Sequence, residues 1–281
     1  MLEFPPWGSR THSHLMYRIG AVSYLNARPL IDGLNEEGEI ALDVDVPSRL
    51  LAGLIEGRTC AALCPVIDYQ RASRALQILP AGAIGSEGAT LTVRVFSTRP
   101  FDLVEAVHVD TDSHTSVALL QVVFDALYGR LPKLIPTSFR SPDNHHRDTI
   151  LLIGDKVIAA EPDPSVYCHQ MDLGEAWNRI TGLPFVFATW MTTPESNLGA
   201  LPELLNKRRR ENANRIDDIV EAQAHLHGWT ATLAREYLGR LIQYEIGKTQ
   251  LAAMQLFWKR CHEIGVISEL RPLVLYQRPE Q

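Results

Sequence analysis

Two polar turns carry the residues best suited to chemistry. The first, Ser23-Tyr24-Leu25-Asn26, interrupts an apolar run over residues 19–22 and is followed by Ala27-Arg28-Pro29-Leu30. The pattern predicts a strand, a turn and a helix. Asn26 is a residue type that caps helices, and Pro29 fits a first turn because its missing N–H is one that no helical carbonyl would accept. The second turn, residues 110–116, follows Val107-His108-Val109 and holds four hydroxyl residues, Thr111, Ser113, Thr115 and Ser116, ahead of an apolar stretch ending at Tyr128. A helix start offers unpaired N–H groups and about half a positive charge, so hydroxyls and an amide gathered there suit an anion such as a carboxylate. The alternative is that both turns are ordinary capping runs.

Such turns act together only on a scaffold that brings them to one place. Residues 40–46 alternate like a strand, Pro47 opens a helix through Glu56, and Gly57 stops it. A short buried strand follows at 59–63, then Pro65 and a helix to about Ser73. Strands are expected at 76–79 and 89–97, with Gly82, Gly85 and Gly88 as a loop between them. Beyond Ser97-Thr98-Arg99-Pro100 the pattern restarts: strand 106–109, helix 116–128, strands near 133–135 and 149–153, and a last strand at 184–189. From Pro194 the chain reads as helical, over 200–214, 215–227, 230–244 and 249–264. Alternation of this type implies an α/β protein with largely parallel sheets flanked by helices. Residues 1–17 lack any pattern and are expected to form a flexible tail.

With 46% apolar residues in 281, the chain can fill one large core or two modest ones. Its net charge of −6 disfavours a nucleic-acid backbone as partner, and the basic run Lys207-Arg208-Arg209-Arg210 reads as the solvated face of a helix. Cys60, Cys64, Cys168 and Cys261 have no zinc spacing and are expected to be reduced thiols. His145 and His146, in the polar loop 138–147, have no partner at ligand spacing, and the glycines at 82–88 lack a phosphate-loop lysine. Neither a metal nor another cofactor is therefore expected. No stretch has the length of a membrane span or a secretory core, so the expected location is the cytoplasm, with no membrane partner. Nothing in the sequence sets an oligomeric state.

Gly20-Ala21-Val22-Ser23-Tyr24-Leu25-Asn26, with Pro29-Leu30 after it, resembles the opening signature of the chorismate dehydratases of the futalosine route to menaquinone. Later segments agree in order: Asp112-Ser113-His114-Thr115-Ser116-Val117, Leu152-Ile153-Gly154-Asp155, Asp172-Leu173-Gly174 with Trp177, and Thr181-Gly182-Leu183-Pro184-Phe185-Val186-Phe187-Ala188. The resemblance spans residues 18 to about 276. It implies the two-lobed fold of type II periplasmic binding proteins, each lobe a mixed, mostly parallel sheet flanked by helices, with a helical C-terminal segment. Residues 18–98 and 190–281 would form the first lobe and 99–189 the second, with crossings near 97–100 and 188–192. Ligands of such folds sit between the lobes, at the carboxyl ends of strands.

The implied activity is that of a carbon–oxygen lyase removing water from chorismate to give 3-[(1-carboxyvinyl)oxy]benzoate. Chorismate is a small dicarboxylate, which suits a cleft with one anion-binding turn on each lobe. On the resemblance, Ser23, Tyr24, Asn26, Ser86, Ser113, Thr115, Ser116 and Gly154 are expected to contact substrate, and Asn26, Ser86 and Asp155 to be catalytic. Two groups compete for the role of base: Asp155, and the enolpyruvyl carboxylate of the substrate itself, which needs only positioning and dienolate stabilisation from the protein. Tyr24, Trp177, Phe185 and Trp190 are either walls around the ring or core. One departure stands out. The family often has Arg where this chain has His114, so a charge-assisted contact is weakened or made pH-sensitive, or the side chain faces solvent. Two other readings use the same fold: a cytoplasmic solute-binding or sensing protein for a small carboxylate, and the sister 1,4-dihydroxy-6-naphthoate synthase, whose His-Ser-Pro-Asp type opening turn is missing here.

Overall fold

The computed structural model describes residues 17–139, 147–160 and 162–278. Of the expected tail only Tyr17 falls within them, already in a strand, and His145 and His146 lie outside. The chain begins with β1 (Tyr17–Val22), a single 3-10 turn (Leu25–Ala27) and the short α1 (Arg28–Ile31). Next come β2 (Ile40–Asp45), α2 (Pro47–Ile55), β3 (Ala61–Pro65), α3 (Asp68–Arg71) and β4 (Gln77–Ser86). A second run holds β5 (Val93–Ser97), β6 (Ala106–Asp110), α4 (Thr115–Tyr128), β7 (Lys133–Thr137), β8 (Thr149–Ile153), α5 (Asp155–Ala160), β9 (His169–Asp172) and α6 (Leu173–Thr181). The chain returns through β10 (Phe185–Thr192) and finishes with α7 (Leu201–Ala213), α8 (Ile216–Gln223), α9 (Ala231–Glu236), β11 (Ile242–Gln243) and α10 (Lys248–Glu263).

Among the described residues the strands form two mixed sheets, ordered β11-β4-β10-β3-β1-β2 and β7-β6-β8-β5-β9. The parallel pairs are β1 with β2 and β3, and β6 with β7 and β8; β10 and β5 run against their neighbours. β3 and β8 are buried at every position, as strands covered on both faces must be, and their near-continuous apolar sequences match.

The crossings between sheets come earlier than the sequence suggests. β5 pairs in the second sheet and β10 in the first, so the chain leaves after Ser86 and returns through 182–184, not near 97–100 and 188–192. Both proposed lobe boundaries, at 98/99 and 189/190, move toward the N-terminus accordingly. The misleading signal was glycine. Gly82 and Gly85 lie inside the ten-residue β4, where a Cβ on Gly85 would stand 2.6 Å from the Phe185 carbonyl oxygen of the adjacent β10. Gly85 serves close strand packing, and Gly82 packs under the side chains of Leu30 in α1 and Arg209 in α7, so neither is a loop residue. Ser86 stands opposite Phe185, so the outgoing and returning segments leave the first sheet side by side.

The outgoing segment is held by one carboxylate. Asp172 Oδ2 accepts from the Thr90 and Leu91 N–H groups, each at 2.8 Å, and Oδ1 accepts from Gly174 N–H at 3.0 Å as the cap of α6. Burial pushes the Asp172 carboxyl above its ordinary range, against the downward pull of these donors. Trp177, Phe185 and Trp190 are core residues, at most 1% exposed; Trp177 meets Phe185 and Phe257 edge to face.

Candidate active site

A cleft of about 590 Å³, counting space open to solvent, lies between the two sheets. Its lining is mostly apolar, with walls from Val22, Ile84, Val93, Ile153 and Phe187. The polar groups come from both lobes and from the crossing: Tyr24 and Asn26 after β1, Thr90 and Thr92 in the outgoing segment, and residues 113–116 at the start of α4. Phe187, half-buried in β10 beside the crossing, carries no feature in sequence that separates it from ordinary core aromatics.

The first turn does not work as a cap. The 3-10 turn and α1 have no side-chain cap, and Asn26 lies within the former. α1 spans only four residues, too short to accumulate much dipole. Asn26 is employed otherwise: Nδ2 donates to the Tyr237 hydroxyl at 3.2 Å, while Oδ1 is buried and has no protein partner among the described residues. Tyr237 also bonds Thr92 Oγ1 at 2.6 Å and stacks on Trp229 with ring centres 4.6 Å apart. Burial pushes the Tyr237 phenol well above its ordinary range, so it stays a neutral hydroxyl. This residue was missed from sequence. The predicted helix 230–244 is instead α9, a wide π turn over Tyr237–Leu241 and β11 paired with β4. π turns are frequent at functional sites but leave no pattern in the side chains.

The second turn is a true helix start. α4 begins at Thr115, and Ser113 Oγ accepts from the Ser116 N–H at 3.2 Å. Asp110 and Asp112 anchor it from behind, both bound to Lys156 Nζ of α5 at 2.7–2.8 Å. Burial pushes the Asp110 carboxyl up against the opposing pull of that ammonium. Two side chains of this turn reach the other lobe: Thr115 Oγ1 accepts from the Ile67 N–H at 3.3 Å, and His114 Nδ1 lies 2.7 Å from Asp68 Oδ1. A third contact between the lobes is apolar. Gly154, at φ +60°, packs so closely under Tyr24 that a Cβ there would lie 3.0 Å from the ring.

Three expected residues sit elsewhere. Ser23 is half-buried beside β2, its N–H donating to the Asp45 carbonyl, and is not among the cleft-lining residues. Ser86 Oγ donates to the Gly88 carbonyl at 3.0 Å, within the crossing. Asp155 is not among the cleft-lining residues and sits at a junction of lobes: Oδ2 accepts from the Leu25 N–H at 3.2 Å and faces His227 Nδ1 at 2.8 Å, and Oδ1 accepts from Trp229 Nε1 at 2.9 Å. Both its oxygens are engaged, as expected of a turn acid that ties elements together.

The profile of a family described as menaquinone biosynthesis matches residues 17–263. The chain belongs to the menaquinone-biosynthesis family. Among relatives of this family member, a chorismate dehydratase of Thermus thermophilus is 30% identical over 237 residues, 79% of this chain and 87% of that one. Solved structures give the fold. A protein from Archaeoglobus fulgidus matches with a TM-score of 0.70 at 15% identity, covering 92% of this chain and 100% of that one. The periplasmic aliphatic sulphonate binding protein of Escherichia coli matches with a TM-score of 0.63 at 14% identity, covering 95% and 96%. The family member thus has the two-lobed fold of periplasmic binding proteins. Among its described residues no helix is long and apolar enough to cross a membrane, and no three His, Cys, Asp or Glu side chains are grouped to share a metal ion.

Proposed function

We propose that this protein dehydrates chorismate to 3-[(1-carboxyvinyl)oxy]benzoate, in the cytoplasm and on the futalosine route to menaquinone. The observation that carries the reading is the 30% identity to the Thermus thermophilus chorismate dehydratase across 79% of the chain. The cleft supports it with polar groups from both lobes around an apolar interior, as a cyclic dicarboxylate requires.

The proton on the ether-bearing ring carbon is vinylogous to the ring carboxylate. Its removal gives a delocalised dienolate, from which the neighbouring carbon–oxygen bond breaks. The proton and hydroxide leave as water, and the ring becomes aromatic. With its Nδ2 held by Tyr237, Asn26 directs Oδ1 at the substrate, where it accepts from the ring hydroxyl and fixes the leaving group. The turn at 113–116 supplies donors to a carboxylate. The base is the enolpyruvyl carboxylate of the substrate, because Asp155 is engaged by three donors outside the cleft lining.

Purified protein incubated with chorismate should form a product with the mass and ultraviolet absorption of the carboxyvinyloxybenzoate. Saturable binding of chorismate without product would instead assign the cleft to a solute-binding or sensing role.

A further inference from the structure

A site for chorismate must hold a dianion and then steady the charge that moves onto the ring carboxylate as the dienolate forms. Among the described residues lining this cleft there is no lysine or arginine, and His114 is the one side chain that can carry positive charge. It is held firmly. Asp68, on the opposite lobe and 1% exposed, lies 2.7 Å from Nδ1 through Oδ1, and its Oδ2 is buried with no partner among the described residues. A carboxylate only accepts, so Nδ1 carries a hydrogen and Nε2 is left for the ligand, either as a lone pair or, when protonated, as a cationic donor.

We propose that the substrate's ring carboxylate binds His114 in its imidazolium form, so that the protein takes up a proton with its ligand and loses catalytic efficiency as pH rises. This rests on the dehydratase reading. A full charge beside the ring carboxylate favours the dienolate-like transition state more than the bound substrate, because negative charge accumulates there as the proton leaves. Other titratable groups surround the imidazole. Asp68 faces it from α3, with Cys64 of β3 buried near that carboxylate, its thiol pushed well up by burial and then by the Asp68 charge. Tyr24 and Tyr237 share the cleft wall, and on the same turn Asp110 and Asp112 are bound to Lys156. Of these types only imidazole ordinarily titrates at about pH 6.5.

The test measures kcat/KM for chorismate between about pH 6 and 8.5, across the ordinary imidazole range, for wild type, His114→Arg and His114→Gln. In parallel, calorimetry with the product 3-[(1-carboxyvinyl)oxy]benzoate, in two buffers of different ionisation heat, counts protons taken up on binding. Wild type should lose kcat/KM with a limiting slope of about tenfold per pH unit on the alkaline side, as one required proton is lost. It should take up a proton with product above neutrality. The fixed charge of His114→Arg should abolish both the slope and the uptake, and His114→Gln should be lower than wild type at pH 6 by about tenfold or more. A flat wild-type profile, no proton uptake, or a His114→Arg variant that keeps the slope would overturn the inference. Turnover with a flat profile overturns it alone, whereas absence of turnover at every pH overturns the dehydratase reading and this inference with it.

Discussion

Asn26 Nδ2 donates to the Tyr237 hydroxyl across 3.2 Å, joining residues 211 positions apart in the chain. The bond brings the turn after β1 to the C-terminal segment that follows α9, and Thr92 of the lobe crossing completes it from the other side of the same hydroxyl. One neutral phenol, fully enclosed, therefore sets the orientation of the amide that faces the cleft.

That relationship predicts the behaviour of Asn26→Ser. Serine caps helices about as well as asparagine, so a capping role would leave the variant unchanged. The side chain makes no cap here, and its buried Oδ1 is left for a ligand. The expected result is a thermal midpoint close to wild type with kcat/KM lowered about tenfold or more, equivalent to about 1.4 kcal/mol of transition-state binding. Wild-type turnover at subsaturating chorismate would remove Asn26 from the reaction.

Tyr237→Phe deletes the hydroxyl that both Asn26 and Thr92 use while keeping the ring stacked on Trp229. Two buried polar groups lose a partner, which costs about 1–3 kcal/mol. Denaturant unfolding should report that loss, and kcat/KM should fall because Asn26 is no longer held. A variant that is less stable but catalytically normal would show that the amide is oriented without the phenol.

Much of this arrangement can be read in the sequence, for identifiable reasons. The strand ending at Val22 and the helix from Thr115 to Tyr128 stand out because apolar periodicity is strong and the polar turns next to them are short. The lobe crossings do not, because Gly82 and Gly85 look like loop residues until the helices packed over the first and the strand packed against the second are known. The site divides in the same way. Tyr24, Asn26, Ser113, Thr115, Ser116 and Gly154 converge on one cleft, and all lie in local turns with recognisable composition. Tyr237 and the Asp68 partner of His114 are contributed by long-range folding, which no spacing rule encodes.

Gly154→Ala examines the contact between the second lobe and the Tyr24 ring. A side chain at φ +60° strains the backbone by about 1–2 kcal/mol, and the new methyl would meet the ring at 3.0 Å. The Tyr24 ring must move, and it lines the cleft. KM should rise severalfold with the fold retained by circular dichroism; an unchanged KM would place the ligand away from Tyr24.

Asp155→Asn separates a base from a tie between lobes. A general base contributes roughly 10²–10⁴ to the rate, so its amide replacement would leave almost no turnover while the fold stayed sound. In this structure the carboxylate accepts from Leu25 and Trp229 and pairs with His227, and it is not among the groups lining the cleft. An amide in its place keeps one acceptor atom and turns the other into a donor facing donors, so the junction loses at least one of these bonds, at about 1–3 kcal/mol. The expected variant melts several degrees lower than wild type and keeps kcat within about tenfold of it at a temperature where it is folded. Measured side by side, a hundredfold or greater loss of kcat at wild-type stability would return Asp155 to the role of base.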